Sequence, residues 1–91
     1  MSVRVVLAAA LAELDGGAPQ LEVEGATVGE ALRNLGRARA GLAPLLWKEG
    51  GVFNPALAVF LNDRLLRAPH DLAAPVSPGD EIAVISALEG G

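Results

Sequence analysis

Few side chains in this sequence are equipped for covalent chemistry, and their spacing narrows the field further. The single histidine, His70, stands next to Asp71 in "APHDL". A histidine–carboxylate pair relays protons for a nucleophile. The chain has no cysteine and no serine placed to act as one. Sequence neighbours rarely face each other productively, so a solvated loop histidine is the better reading. Asp80-Glu81 is a second candidate pair. A catalytic dyad converges across a cleft, whereas adjacent strand residues point to opposite faces. Asp80 therefore reads as a turn cap and Glu81 as a solvated side chain. One histidine and scattered carboxylates lack the spacing of a metal site. The glycine pairs form neither a P-loop nor a G-x-G-x-x-G after a strand, so the chain is not expected to bind ATP unaided. No catalytic side chain and no bound cofactor or metal is expected.

What remains is the end of the main chain. The sequence finishes "SALEGG". Glycine loses more backbone entropy on ordering than any other residue and adds no packing. Without Cβ atoms, Gly90 and Gly91 can thread a narrow channel in any backbone conformation. The Gly91 carboxylate is unhindered, and another enzyme could activate it. Leu88 would anchor such a tail, with Glu89 between anchor and glycines. Taken alone, a flexible end with chance glycines reads as well.

A tail of this kind needs a body to carry it. "SVRVVLA" alternates, with Val3, Val5 and Leu7 on one face, as a half-buried strand does. "LAELDGGAP" reads as a turn, with Leu11 and Leu14 at the edge of the core. "QLEVE" alternates again, which predicts an antiparallel hairpin. In "TVGEALRNLGRARAGL" the period changes. Thr27 and Glu30 have capping-box spacing, and Val28, Ala31, Leu32 and Leu35 share one helical face. Gly41 is the expected stop. "APLLWKEGGVFNP" reads as irregular, with Leu45, Leu46 and Trp47 folded over the helix end and Gly50-Gly51 as a turn. "ALAVFLND" is a strand with Leu57, Val59 and Leu61 on one side. A tight turn leads to a short arm, "RLLR". "APHDLAAPV" is a loop anchored by Leu72 and Val76. "SPGD" is a type II turn, and "EIAVISA" the last strand, with Ile82 and Val84 inward.

The order, two strands, one helix, two strands and a final strand, predicts an α+β domain of β-grasp, or ubiquitin-like, type. Its mixed sheet curls around one main helix. A ferredoxin-like sandwich is the alternative, but it needs a second helix. The only room is at 40–50 or 68–76, and both carry Pro and Gly. A length of 91 residues leaves space for one core, taken as residues 1–87 with a tail over 88–91. Phe60 points away from the core side of its strand, and Ile85 has the same sense on the last. If those strands are neighbours, Phe60, Ile85 and Val6 form an apolar patch of the kind that marks a partner surface. The competing reading is that the 40–55 segment covers part of that face.

Charge excludes other classes. The net charge is −4, and Arg33, Arg37 and Arg39 are the only basic cluster. A nucleic-acid binder shows a basic stripe and an excess of positive charge. The absence of cysteine fits a reducing compartment. No signal peptide is evident, and no apolar run approaches the ~18 residues of a membrane span. The expectation is a cytoplasmic protein, with neither nucleic acid nor membrane as partner.

In this context the tail gains weight. The sequence resembles the ThiS/MoaD family of ubiquitin-like sulfur carriers. The resemblance rests on "PALAVFLNDRLLR", similar to the family's apolar strand ending in Val-Asn-Gly/Asp, and on "SPGDEIAVISALEGG", similar to its Gly-Asp-Glu, apolar strand and Gly-Gly terminus. "TVGEALRNL" matches the helix start. Ser86 stands where many members have proline, and Glu89 where a small residue is common. The resemblance implies an E1-like adenylating enzyme that binds the sheet face, through Phe60, Ile85 and Leu88, and draws in the tail. The Gly91 carboxylate would attack the α-phosphate of ATP. Sulfur from a persulfide or sulfide would then displace AMP, leaving a thiocarboxylate for a client enzyme. The chain would be a cosubstrate, not an enzyme, while ATP is consumed by its partner. Molybdopterin, cysteine, thiamine and tRNA thiolation all use such carriers, and the extra segment around Trp47 leans toward the MoaD-like branch or its cysteine-synthesis relatives. Two further readings stay open. One is a ubiquitin-like modifier conjugated through Gly91. The other is a plain β-grasp interaction domain.

Overall fold

The structure is a computed structural model and describes residues 2–67 and 70–86, with the main chain only at His70. Five strands form one mixed sheet in the order β2-β1-β7-β5-β6. These are β1 (Ser2–Leu7), β2 (Gln20–Glu24), β5 (Leu57–Leu61), β6 (Arg64–Leu66) and β7 (Glu81–Ser86). β1 runs parallel to β7, and the other pairings are antiparallel. Helix α2 (Val28–Ala38) lies across one face. This is the β-grasp, ubiquitin-like architecture that the element order predicts. Among the described residues, no helix is long and apolar enough to cross a membrane.

The alternating strands bury the side chains that their period assigns to the core. Val3, Val5 and Leu7 of β1, Val59 of β5, and Ile82 and Val84 of β7 are all buried. The helix contributes Val28, Ala31, Leu32 and Leu35, each fully buried. Removing a Leu or Val side chain from water stabilises the fold by about 1.5–3 kcal/mol, so the amphipathic stripe is enough to fix the helix on the sheet. Its start is set by Thr27, whose Oγ1 accepts the Glu30 N–H at 3.1 Å. Glu30 returns the favour one residue early, accepting the Ala26 N–H at 2.7 Å. The Val28 N–H is taken by the Ala74 carbonyl at 3.0 Å.

Four local expectations are corrected. Leu11 is buried, but Leu14 is 63% exposed and takes no part in the core. The reason is a single helical turn, α1 (Ala9–Ala12), which turns Leu11 inward and carries Leu14 out to solvent. Helix α2 ends at Ala38 with Arg39 as its cap, before Gly41. "APLLWKEGGVFNP" is not irregular. It folds as a helical turn, α3 (Ala43–Leu46), then a hairpin of β3 (Trp47–Lys48) and β4 (Val52–Phe53) around Gly50-Gly51. A 3-10 turn over His70–Ala73 interrupts the later loop.

Two of these segments are pinned by polar contacts. Asn54 is buried, and every polar group of its side chain is used. Its Nδ2 donates to the Leu45 carbonyl at 2.8 Å and its Oδ1 accepts the Ala56 N–H at 2.9 Å. This ties α3 to the start of β5. On the helix side, a Cβ at Gly36 would stand 3.4 Å from the Ala43 Cβ, at ordinary van der Waals contact, so α3 packs directly against this turn of α2.

Candidate partner interface

The site is built by strand register. On the face away from α2, Val6 pairs with Ala83, Ala83 with Phe60, and Phe60 with Leu65. These residues form one apolar row across β1, β7, β5 and β6. Ala58 and Ile85 pair in the next row toward the end of β7. Directly opposed residues share a face, so Phe60, Ile85 and Val6 are brought together on one surface, each half-buried. Leu65, 55% exposed, extends the patch to the sheet edge. It was not singled out from sequence. The signal lay in its place across the two-residue Asn62-Asp63 turn from Phe60.

The 40–55 segment reaches this face only at its margin. It packs on α2, where Trp47 Nε1 donates to the Leu32 carbonyl at 3.4 Å. Val52, Phe53 and Pro55 reach the margin of the sheet, where they line a groove of ≈ 370 Å³ with Ala58 and Leu65.

The patch has a polar rim. Arg4 and Glu81 approach to 3.9 Å and are both about half exposed, a geometry worth little in water. Asn62 has φ 54°, a left-handed conformation that Asn tolerates well. It donates its N–H to the Glu81 carbonyl at 2.7 Å and accepts the Glu81 N–H at 3.1 Å. The β5–β6 turn is thereby stitched to the start of β7. Asp80 accepts the Ser77 N–H at 2.8 Å and the Asn62 Nδ2 at 3.3 Å. Gly79, at φ +91°, supplies the positive φ of the type II turn before it. Asp80 and Glu81 are thus taken up by a turn cap and a surface pair and form no dyad.

The other candidate pair is also occupied. The Asp71 carboxylate accepts the Arg67 N–H at 2.8 Å, which fixes the 3-10 turn. The His70 side chain lies outside the described residues. No group of three or more His, Cys, Asp or Glu comes together among the described residues. Of the basic cluster, Arg39 is spent internally. Its guanidinium grips Asp15 with Nε at 2.8 Å and Nη2 at 2.5 Å, and its Nη1 donates to the Ala18 carbonyl. The Arg39 hydrogen bonds hold the Asp15 carboxyl down at about 2, against an opposing push from desolvation.

Strand β7 ends at Ser86, opposite Leu57. Leu88, Glu89, Gly90 and Gly91 lie outside the described residues. Phe60, Ala83 and Ile85 of the apolar surface therefore sit on, or directly beside, the strand that leads to that tail.

Comparison with known proteins adds an independent line. A model of the ThiS family matches residues 5–91. A protein of Archaeoglobus fulgidus, named as a candidate sulfur carrier, is 25% identical over 80 residues, 88% of this chain and 91% of its own length. The solved structure of SAMP1 from Haloferax volcanii superposes with a TM-score of 0.84 at 29% identity, over 100% of both chains. The structure of the BexX/CysO complex from Amycolatopsis orientalis contains a chain with a TM-score of 0.81 and 31% identity, covering 98% of this chain and 99% of that one.

Proposed function

Because the chain belongs to the ThiS family, we propose that it is a cytoplasmic sulfur carrier whose sulfur rides on the Gly91 carboxylate. The observation that carries this reading is the apolar row through Phe60, on the open face of the sheet and around the strand that leads to the tail. An E1-like adenylating enzyme docks on that face, with Phe60, Ile85 and Leu88 as contacts, and draws in the tail. Gly90 lets the main chain thread, past Glu89, because it has no Cβ.

A carboxylate is a poor electrophile until one of its oxygens becomes part of a good leaving group. In the partner's site the Gly91 carboxylate attacks the α-phosphate of ATP, forming an acyl-adenylate and releasing pyrophosphate. A sulfide or persulfide sulfur then adds to the acyl carbon and displaces AMP. With a persulfide, a reducing thiol cleaves the S–S bond and leaves the thiocarboxylate. A client enzyme takes the sulfur for molybdopterin, cysteine or thiamine synthesis or tRNA thiolation, and the free carboxylate returns. The electrostatic stabilisation of these steps belongs to the partners. This chain is a cosubstrate and holds no cofactor of its own.

The likeness to SAMP1, a small archaeal modifier protein, favours a second reading in which Gly91 is joined to lysines of other proteins. Both begin with the same adenylate, and one measurement separates them. The chain contains no cysteine. Protein isolated from its native cells is treated with a thiol-directed alkylating reagent, and its intact mass and C-terminal fragments are recorded. A label on Gly91 is the expected result. Free carboxylate throughout, with Gly91 found in isopeptide adducts, would replace the carrier by the modifier. Free carboxylate with no adducts would leave a plain interaction domain.

A further inference from the structure

The side of the molecule opposite the apolar row has a feature of its own. There the first turns of α2, the β3–β4 hairpin and the 3-10 turn at His70–Ala73 bound an open groove of ≈ 460 Å³. Its floor is apolar. Trp47 and Phe53 meet edge to face with ring centroids 5.2 Å apart, and Val52 and Leu72 complete it. Val52 is 54% exposed, a large side chain left in water at the hairpin. The groove's one charged lining residue is Arg33, whose guanidinium lies 4.8 Å from the centroid of the Trp47 ring. Among the described residues Arg33 has no carboxylate partner. Arg37, one turn further along the exposed side of α2, bonds among the described residues only to Asn34 Oδ1, at 3.3 Å. Among the described residues this positive charge at an apolar groove has no carboxylate partner, in a chain whose net charge is −4.

We propose that this groove binds the C-terminal segment of a second copy of the chain. The segment has the complementary chemistry. Beyond Ser86 its one large apolar side chain is Leu88, followed by Glu89 and, two residues on, the Gly91 carboxylate. Leu88 fills the space over Trp47 and Phe53, and the two negative charges lie along Arg33 and Arg37. An arginine stacked on a ring keeps its edge N–H groups free for a carboxylate. A chain's own tail is less well placed. Ser86 pairs with Leu57, which lines the neighbouring groove and not this one. Leu88 follows Ser86 by two residues, about 7 Å of extended chain. The contact is head-to-tail, weak and concentration-dependent, and a tail so held is withdrawn from any activating partner.

Trp47 is the only tryptophan, so its emission reports on the groove directly. The probe is the hexapeptide Ser-Ala-Leu-Glu-Gly-Gly, titrated into the full chain and into the Arg33→Gln variant. The expected result is a saturable change with a midpoint on the order of 1 mM. The midpoint rises about fivefold or more in Arg33→Gln, and likewise for an amidated peptide with Gln in place of Glu. Midpoints, not amplitudes, are compared, because the substitution also alters the ring's surroundings, and far-UV circular dichroism checks that the variant is folded. No saturable change in the full chain, or equal binding of the uncharged peptide, overturns the proposal. So does a concentration-independent difference in Trp47 emission between the full chain and one lacking residues 88–91, which would put the tail in its own groove. Thiocarboxylate formation is read separately, so either proposal can fail without the other.

Discussion

Phe60 sits inside the apolar row, between Ala83 on β7 and Leu65 on β6. It is half-buried against its own sheet, which leaves part of its ring for the partner proposed to dock there. Phe60→Ala should raise the KM of the activating enzyme for this chain about tenfold or more, as loss of an interface aromatic does. The unfolding midpoint should correspond to a loss of less than about 1.5 kcal/mol. Steady-state adenylation and thermal unfolding of the same preparation check both halves. Gly90→Val tests the tail in the complementary way. A β-branched side chain cannot pass where only main chain fits, so adenylation should stop while the melting curve is unchanged. Unchanged adenylation would count against threading. At this scale much was legible. The parity of "ALAVFLND" and "EIAVIS" puts Phe60 and Ile85 on one face before any coordinates exist. The outward swing of Leu14 was not legible, since it depends on a single helical turn too short to show a period. The fate of Arg39 was hidden too, because its partner Asp15 stands 24 positions away.

That pair acts at the scale of elements, since it ties the β1–β2 connection to the end of α2. Both side chains are largely buried, and the Gly17 N–H adds a bond to Asp15 Oδ1 at 3.1 Å. The carboxyl is depressed from an ordinary 3.8 to about 2 in the folded chain. A group whose folded value lies below its unfolded value stabilises the fold above the unfolded value and ceases to do so as pH falls through the folded one. The difference in unfolding midpoint between the natural chain and Asp15→Asn should therefore be constant above about pH 5. It should shrink as pH falls from 3.8 toward about 2. Urea unfolding across that range measures it, and a difference that holds at the acid end would remove the pair from the account. The long elements were readable because each carries several repeats of its period. The α3 turn and the β3–β4 hairpin were not. Two-residue strands have no alternation to read, and what fixes them is tertiary: the buried Asn54 and the packing of α3 on α2.

At the scale of the whole molecule the described residues share one core, and even the small hairpin belongs to it through Phe53, with Trp47 packed against it. Trp47 emission, which reports on the hairpin, and far-UV circular dichroism, which reports on the sheet and α2, should lose their native values in one coincident transition. An earlier loss of the Trp47 signal would make the hairpin a separate unit. The sheet order places β7 in the centre, parallel to β1 on one side and antiparallel to β5 on the other. In the proposed mechanism, a partner that reels in the tail would pull on β7 along its own axis. The ladders on both sides run across that axis, so their bonds resist in shear and are loaded together, where an edge strand peeled outward would give way one bond at a time. The strand works as a mechanical stop. On that mechanism the tail would be drawn taut into a neighbour's active site without unravelling the domain it hangs from.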